Sequence, residues 1–333
     1  MKTQITYVLV SDDTDSYYEQ LLISVYSLRK HNENARVVLV CDKDTEYTLI
    51  GRRANIKERV DKIIVVQIPP EFDKTQRSRF LKTNLRNIID GDFLYIDTDT
   101  VICDSLEEID ELGCEIGAVR EYNEHSVLSE DNDWAYSSAE RADLLQELLG
   151  CPYFNGGILY VKDTKSSHEL YNNWYQCWKD YLKKGLSTDQ TALCYANKLC
   201  GYKIKHIDNI WNCQIAKLEG KKNASAAKII HYFHGMGDIN YPMSLDSIYQ
   251  TVKIIGDIPP IVEFFVENPR QVFSRYEDYL SIKSDQVNFH TPVEKLYGRL
   301  NTKQSFQIIL YNLKIRIMKA IDCRRYHWIK HFK

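Results

Sequence analysis

An alternation of short Val/Ile/Leu runs with helical stretches over the first hundred residues most constrains what this chain can fold into. ITYVLV (5–10), ARVVLVCD (35–42), DKIIVVQI (61–68) and FLYIDTDTVI (93–102) each read as a strand. Residues 17–31 read as a helix, because Leu21, Leu22, Val25 and Leu28 recur at spacings of three and four. Residues 44–58 and 76–89 supply two more helical stretches. Strands whose apolar runs are continuous are buried on both faces, and helices between them imply a parallel sheet covered by helices. The expected class is therefore α/β with a mostly parallel central sheet.

Further along, IGAVRE (116–121) and YFNGGILYVK (153–162) read as strands, with helices over about 166–184 and 189–199. The polar segment 122–139 reads as a loop over a site. AKIIHYFHG (227–235) is a late strand with a His-rich end, and the pattern after about residue 256 is helical. This divides the chain into an α/β domain over 1–255 and a helical extension over 256–333.

Composition excludes several classes. Lys and Arg total 43 against 46 Asp and Glu, so the chain lacks the basic footprint of a nucleic-acid binder. Nine cysteines without a C-x-x-C pair suggest neither a disulfide framework nor a Cys-rich zinc site, and reduced, buried thiols in a cytoplasmic protein are expected. The opening MKTQITYVLVSDDTDS reads as a first strand, not a signal peptide. No apolar run reaches the roughly 18 residues that span a bilayer.

The last segment, 310–333, holds seven Lys/Arg and one acid, with Leu313, Ile317, Ile321 and Trp328 among them. A basic amphipathic helix of this kind suits the inner face of a plasma membrane, and equally a helix packed on the body with its charges outward. The two differ in outcome. On the first reading, deleting 310–333 releases the protein from anionic liposomes; unchanged binding in a sedimentation assay removes it.

Asp97-Thr98-Asp99 follows the apolar FLYI run. A buried strand carries these acids to the carboxyl edge of a parallel sheet, where such sheets bind ligands. Two carboxylates this close repel unless a cation neutralises them, and hard divalent cations prefer oxygen ligands and bridge to phosphates. A solvated strand-end turn is the plain alternative. The motif also fits a haloacid dehalogenase-like phosphatase, with Asp97 as nucleophile and Asp99 as general acid/base. Its position counts against this, because that family carries the motif on its first core strand, with a Lys and an acidic pair downstream.

Four blocks together resemble glycosyltransferase family 8. They are ITYVLVSDDTDSYYEQLLISVYSL (5–28), SRFLKTNLRNIIDGDFLYIDTDTVI (78–102), FNGGILYVKDT (154–164) with STDQTAL (187–193), and KIIHYFHGMGDINYP (228–242). The resemblance implies a GT-A fold, a Rossmann-like sandwich, and a retaining transfer of a hexose from a nucleoside diphosphate donor, usually UDP. It implies Mn²⁺, with Mg²⁺ as the second choice, on Asp97, Asp99 and His231. Imidazole nitrogen beside carboxylate oxygen suits Mn²⁺ better than Mg²⁺. His234 competes for the third position, because Gly235 lies one residue after His234 and four after His231.

The resemblance places Asp12 and Asp13 at the uracil and ribose, where they equally suit a helix N-cap. It places Arg79, Lys82, Thr98 and Gly235 at the donor; Arg79 and Lys82 also read as part of a solvated basic face. Asn155, Gly156 and Gly157 would lie beside the donor sugar, or mark a strand bulge. Asp189 would bind sugar hydroxyls or favour a helix dipole, and Gln190 would lie near the anomeric carbon. Because an amide is a poor nucleophile, same-face attack is favoured over double displacement. The acceptor would be a saccharide or glycolipid in bacterial surface polysaccharide or lipopolysaccharide synthesis. A degenerate sugar-nucleotide-binding module, unable to assemble the metal site, is the non-enzymatic alternative.

Overall fold

A computed structural model of the chain describes residues 1–123, 128–129, 133–216, 218–233, 246–269 and 273. The chain opens with β1 (Gln4–Leu9), α1 (Tyr17–His31), β2 (Val37–Asp42) and α2 (Lys43–Thr48). A 3-10 segment (Gly51–Glu58) leads to β3 (Lys62–Val66), α3 (Lys74–Thr83), α4 (Leu85–Ile88), β4 (Phe93–Ile96) and β5 (Thr100–Ile102). Next come β6 (Ile116–Arg120), α5 (Asp133–Arg141), α6 (Leu145–Leu148), β7 (Phe154–Val161), α7 (Lys165–Lys183) and α8 (Gln190–Leu199). The last described elements are β8 (Lys205–His206), β9 (Cys213–Gln214), α9 (Leu218–Asn223), β10 (Ile229–His231), α10 (Asp246–Ile255) and α11 (Pro260–Glu267). They fall in a compact unit that runs from Met1 to Ser274.

The main sheet has the strand order β3-β2-β1-β4-β7-β6-β8. Strands β1 to β4 run parallel, β7 is antiparallel to both β4 and β6, and β6 is parallel to β8. Because β7 reverses direction, β6 again runs with β4. The ends of β1, β4 and β6 and the start of β7 therefore share one edge. Helices cover the sheet as the continuous apolar runs require. Along α7, Leu170, Tyr171, Trp174, Cys177, Trp178 and Tyr181 recur on one face and are buried. That helix starts at a capping box on Thr164 and Ser167. Its two tryptophans also reach the next loop: Trp174 Nε1 donates to the carbonyl of Asp189 at 2.7 Å, and Trp178 Nε1 to that of Ser187 at 3.3 Å.

The structure corrects four local expectations. The helix expected over 44–58 breaks after Thr48, and its second half is a 3-10 turn entered at Gly51, whose φ of +54 lies in the left-handed region and interrupts a continuous α-helix. The helix expected over 76–89 breaks at Asn84, whose side chain instead donates to the Phe80 carbonyl. Part of the expected loop at 122–139 is helical, as α5, while 124–127 and 130–132 lie outside the described residues. Most consequentially, the single strand expected over 93–102 is two. β4 belongs to the main sheet, and β5 joins β10 and β9 in a second sheet ordered β5-β10-β9.

The eight described cysteines are free and all but Cys114 are buried, as expected of reduced thiols. Among the described residues no helix is long and apolar enough to cross a membrane. The basic segment 310–333 lies outside the described residues.

Candidate active site

Where the chain leaves the main sheet at Ile96 and enters the second at Thr100, it exposes the acids between them at the shared edge. Antiparallel pairing of β5 with β10 sets His231 opposite Thr100, and Tyr232 N donates to the Asp99 carbonyl at 3.1 Å. This register brings His231 Nε2 to 3.2 Å from Asp99 Oδ1. One donor atom from each of Asp97, Asp99 and His231 lies within 4.8 Å of the others, close enough for one ion. Two carboxylates and an imidazole are a donor set that suits a divalent cation. His231 is 3% exposed. Burial alone lowers its pKa; the Asp99 carboxylate, then Asp97 and Glu121, outweigh burial and raise it.

Gly157 completes the cradle. A Cβ there would lie 2.5 Å from His231 Cε1 and 2.7 Å from Asp97 Oδ2. The β6–β7 register slips between Ala118 and Arg120, so Asn155, Gly156 and Gly157 bulge out of the ladder. Bulge and site are thus the same feature. The Gly157 carbonyl still accepts from Asp97 N at 2.8 Å, which ties the bulge to the acidic pair.

The cluster floors a cleft of about 520 Å³ whose lining includes Arg79, Lys82, Asn155, Asp189 and Gln190. Asp189 occupies the N-cap position of α8, yet its side chain makes no capping bond. Its oxygens instead meet Arg79 Nε at 2.9 Å and Lys82 Nζ at 3.4 Å. Burial would raise its pKa, but these two cations outweigh burial and lower it. Lys82 also lies 3.5 Å from Asp97 Oδ1 and above the Tyr95 ring, and the Tyr95 hydroxyl donates to the same oxygen. Arg79 and Lys82 therefore line the cleft and pair with its acids.

Four expected residues lie off this lining. Gly156 sits behind it, with its N–H donating to Gln190 Oε1 at 3.1 Å. The Thr98 hydroxyl donates to Gln20 Oε1 at 3.2 Å. Asp12 accepts from Thr14 N and Oγ1 and pairs with Lys74 at 2.5 Å, contacts that hold its pKa below the usual carboxylate range. Asp13 is exposed and lines a separate cleft of about 410 Å³ with Tyr18, Glu19, Arg53 and Lys253. In that cleft Lys253, on α10, donates to the carbonyls of Asp13 and Asp15, which pins the acidic turn from a helix distant in sequence. The N-cap reading does not hold for either: Ser16 occupies the N-cap position of α1 without a side-chain capping bond, and Asp15 before it accepts from Tyr17 N at 3.2 Å. His234 and Gly235 lie outside the described residues.

Sequence reasoning missed Glu121, Tyr122, Asn212 and Phe233. Glu121 follows the buried IGAVR strand just as Asp97 follows FLYI, so the same rule of an acid after a buried strand would have found it. Tyr122 and Phe233 carry positive φ values of 56 and 52, and Phe233 stacks on His231 with ring centroids 4.1 Å apart.

The profile described as glycosyl transferase family 8 matches residues 8–237. Among solved structures the chain is similar to the galactosyltransferase LgtC in complex with donor and acceptor sugar analogs, at 15% identity and a TM-score of 0.50, covering 84% of this chain and 100% of that one. An active-site mutant of LgtC matches at 15% identity with a TM-score of 0.51, over 78% and 99% of the two chains. The apo form of mouse xyloside xylosyltransferase 1 matches at 14% identity with a TM-score of 0.47, over 70% and 98%. No curated protein matches the chain by sequence.

Proposed function

The chain belongs to glycosyltransferase family 8 and has the α/β fold of GT-A transferases, and we propose that it moves a hexose from a UDP-sugar to a saccharide or glycolipid acceptor with retention, using Mn²⁺. The observation that carries this reading is the convergence of Asp97, Asp99 and His231 on one point at the floor of the cleft. An ion held there would act as a Lewis acid on the donor's diphosphate.

The remaining chemistry belongs to side chains. Arg79 and Lys82 supply positive charge beside the acidic pair, which complements a diphosphate that one divalent ion leaves incompletely neutralised. Asp189, oriented by those two cations, accepts from sugar hydroxyls. Asn155 and the Gly157 backbone shape the donor-sugar wall. Gln190 is a poor nucleophile by chemistry and by placement, because its nitrogen donates to Glu121 at 2.7 Å and its oxygen accepts from Gly156 N. Asp189, with its pKa lowered, is a weak one too. Both favour same-face attack, in which a leaving phosphate oxygen takes the acceptor proton. Asp12 and Asp13 would meet the nucleoside. The basic segment 310–333 supports work at the inner face of a membrane on a lipid-linked acceptor, as in bacterial surface polysaccharide synthesis.

The phosphatase reading is not favoured, since the family match covers 8–237 and Asp97 follows the fourth strand rather than the first and clusters with His231 of β10. Titration calorimetry with UDP tests the proposal. Mn²⁺ is expected to tighten UDP binding at least about tenfold, or about 1.4 kcal/mol. UDP binding indifferent to metal would overturn it in favour of a degenerate binding module. A panel of UDP-sugars hydrolysed in the presence of Mn²⁺ then identifies the donor.

A further inference from the structure

A chain of buried amides links Glu121 to His231. Glu121, Asn155, Asn212 and His231 are each at most 4% exposed. Glu121 Oε2 accepts from Asn155 Nδ2 at 3.0 Å and from Gln190 Nε2 at 2.7 Å. At its other end, Asn155 Oδ1 accepts from Gly157 N and from Asn212 Nδ2, both at 2.9 Å. Asn212 Oδ1 in turn faces His231 Nδ1 at 3.3 Å.

The direction of every bond follows from its two ends. A backbone N–H can only donate, so Gly157 requires the oxygen of Asn155 and Gly156 requires the oxygen of Gln190. Glu121 receives both amide nitrogens. Turning either amide over would set N–H against N–H at one end and oxygen against oxygen at the other. With Asn155 so oriented, Asn212 must direct its nitrogen to Asn155 and its oxygen to His231. An oxygen facing Nδ1 requires a proton on Nδ1. Asp99 acting alone would favour the opposite tautomer, with the proton on Nε2, because its carboxylate lies on that side.

We propose that Glu121 is a positioning residue: through Asn155 and Asn212 it sets the His231 tautomer that leaves the Nε2 lone pair toward the metal position, and it directly fixes the amide of Gln190. The proposal rests on the reading of Asp97, Asp99 and His231 as metal ligands. Groups that orient a ligand histidine in this way typically contribute 10- to 100-fold to metal affinity.

The test uses the full chain, with two readouts independent of turnover. ¹⁵N NMR of the metal-free protein, taken at a pH where the His231 ring is neutral, reads whether its single proton sits on Nδ1 or Nε2, and calorimetry with Mn²⁺ alone reads affinity. In the neutral ring, Glu121→Leu and Asn212→Leu are expected to shift the proton from Nδ1 to Nε2, facing Asp99, and to weaken Mn²⁺ binding about 10- to 100-fold. Glu121→Gln keeps an acceptor oxygen toward both amides and is expected to stay within about threefold of wild type, the orienting contribution being retained. Should Glu121→Leu fail to fold, Asn212→Leu cuts the link next to His231 and decides alone. An unchanged Nδ1 and an unchanged Mn²⁺ affinity in Asn212→Leu overturn the proposal. So does Glu121→Gln behaving like Glu121→Leu, which would assign the effect to charge rather than orientation. If wild type takes up no Mn²⁺ while Nδ1 still responds to the variants, the metal reading fails and the orienting chain stands.

Discussion

Replacing Gly157 with Ala should remove metal-dependent activity, while the same change at Gly156 should leave it nearly intact. The added methyl at 157 would sit 2.5 Å from His231 Cε1, 2.7 Å from Asp97 Oδ2 and 2.9 Å from Asn155 Oδ1. Two of these atoms belong to candidate metal ligands, and the third belongs to the amide that orients one of them. None can yield freely. His231 is stacked on Phe233, Asp97 is held by Tyr95 and Lys82, and Asn155 is bonded at both ends. The ligands must therefore move by something near 1 Å, a misplacement that costs about 100-fold in turnover. At Gly156 the nearest atom to the new methyl is Lys82 Nζ at 3.6 Å, which is ordinary contact. Mn²⁺ calorimetry and donor hydrolysis on the two variants check this, and equal behaviour of the pair would sink it. A thermal melt separates lost activity from lost folding, since overpacking a core costs about 1–3 kcal/mol.

Asp189→Asn should be among the most destabilising single changes in the chain. The carboxylate has about 8% of its side-chain surface exposed and faces Lys82, whose side chain is 5% exposed, as well as Arg79. Removing one partner of a buried ion pair leaves the other charge desolvated and uncompensated. Lys82 keeps Asp97 at 3.5 Å, so the loss should fall at the low end of the usual range, about 3 kcal/mol. Urea unfolding should show a lower midpoint with an unchanged slope. The Trp174 bond to residue 189 runs to the backbone carbonyl and survives the change, which isolates the charge.

The same pair predicts a pH dependence. Burial raises the pKa of Asp189, but Arg79 and Lys82 outweigh it, so the folded value lies below the unfolded one. Such a group contributes stability that is fully present above the ordinary carboxylate pKa of about 3.9 and is lost as pH falls through the lower folded value. The stability gap between wild type and Asp189→Asn should hold at neutral pH and narrow in acid. A gap as wide at pH 3 and below as at pH 7 would contradict the assignment.

Much of this arrangement is legible in the order of residues. Helix α1 spans Tyr17–His31, the same bounds that its three- and four-residue apolar spacing predicts. Side chains one turn apart face the same neighbour, and that is a local property. Strands β1, β2 and β4 and the buried face of α7 follow from equally local patterns. Asp97 and Asp99 are legible for the same reason, as acids placed where an apolar run stops. The division of 93–102 between two sheets is not. Phe93–Ile96 and Thr100–Ile102 are similar in composition, and only pairing with β10, far along the chain, separates them.

Glu121 stands between these cases. Its signal was local, but its relevance depended on β7 running antiparallel, which places the end of β6 at the same edge as the end of β4. Asn212 had no signal at all, since a buried asparagine gains meaning only from what faces its two ends. The sequence alone determined the α/β class, the order of the main strands β1 to β4, β6 and β7, and the acidic pair at the end of a buried strand, because burial and periodicity are written one residue at a time. The tertiary structure decided that His231 joins that pair, that Asp189 binds Arg79 and Lys82 instead of capping α8, and that Glu121 orients the amides between. Such convergence depends on strand register and packing between distant segments to within an ångström, and no local pattern encodes that.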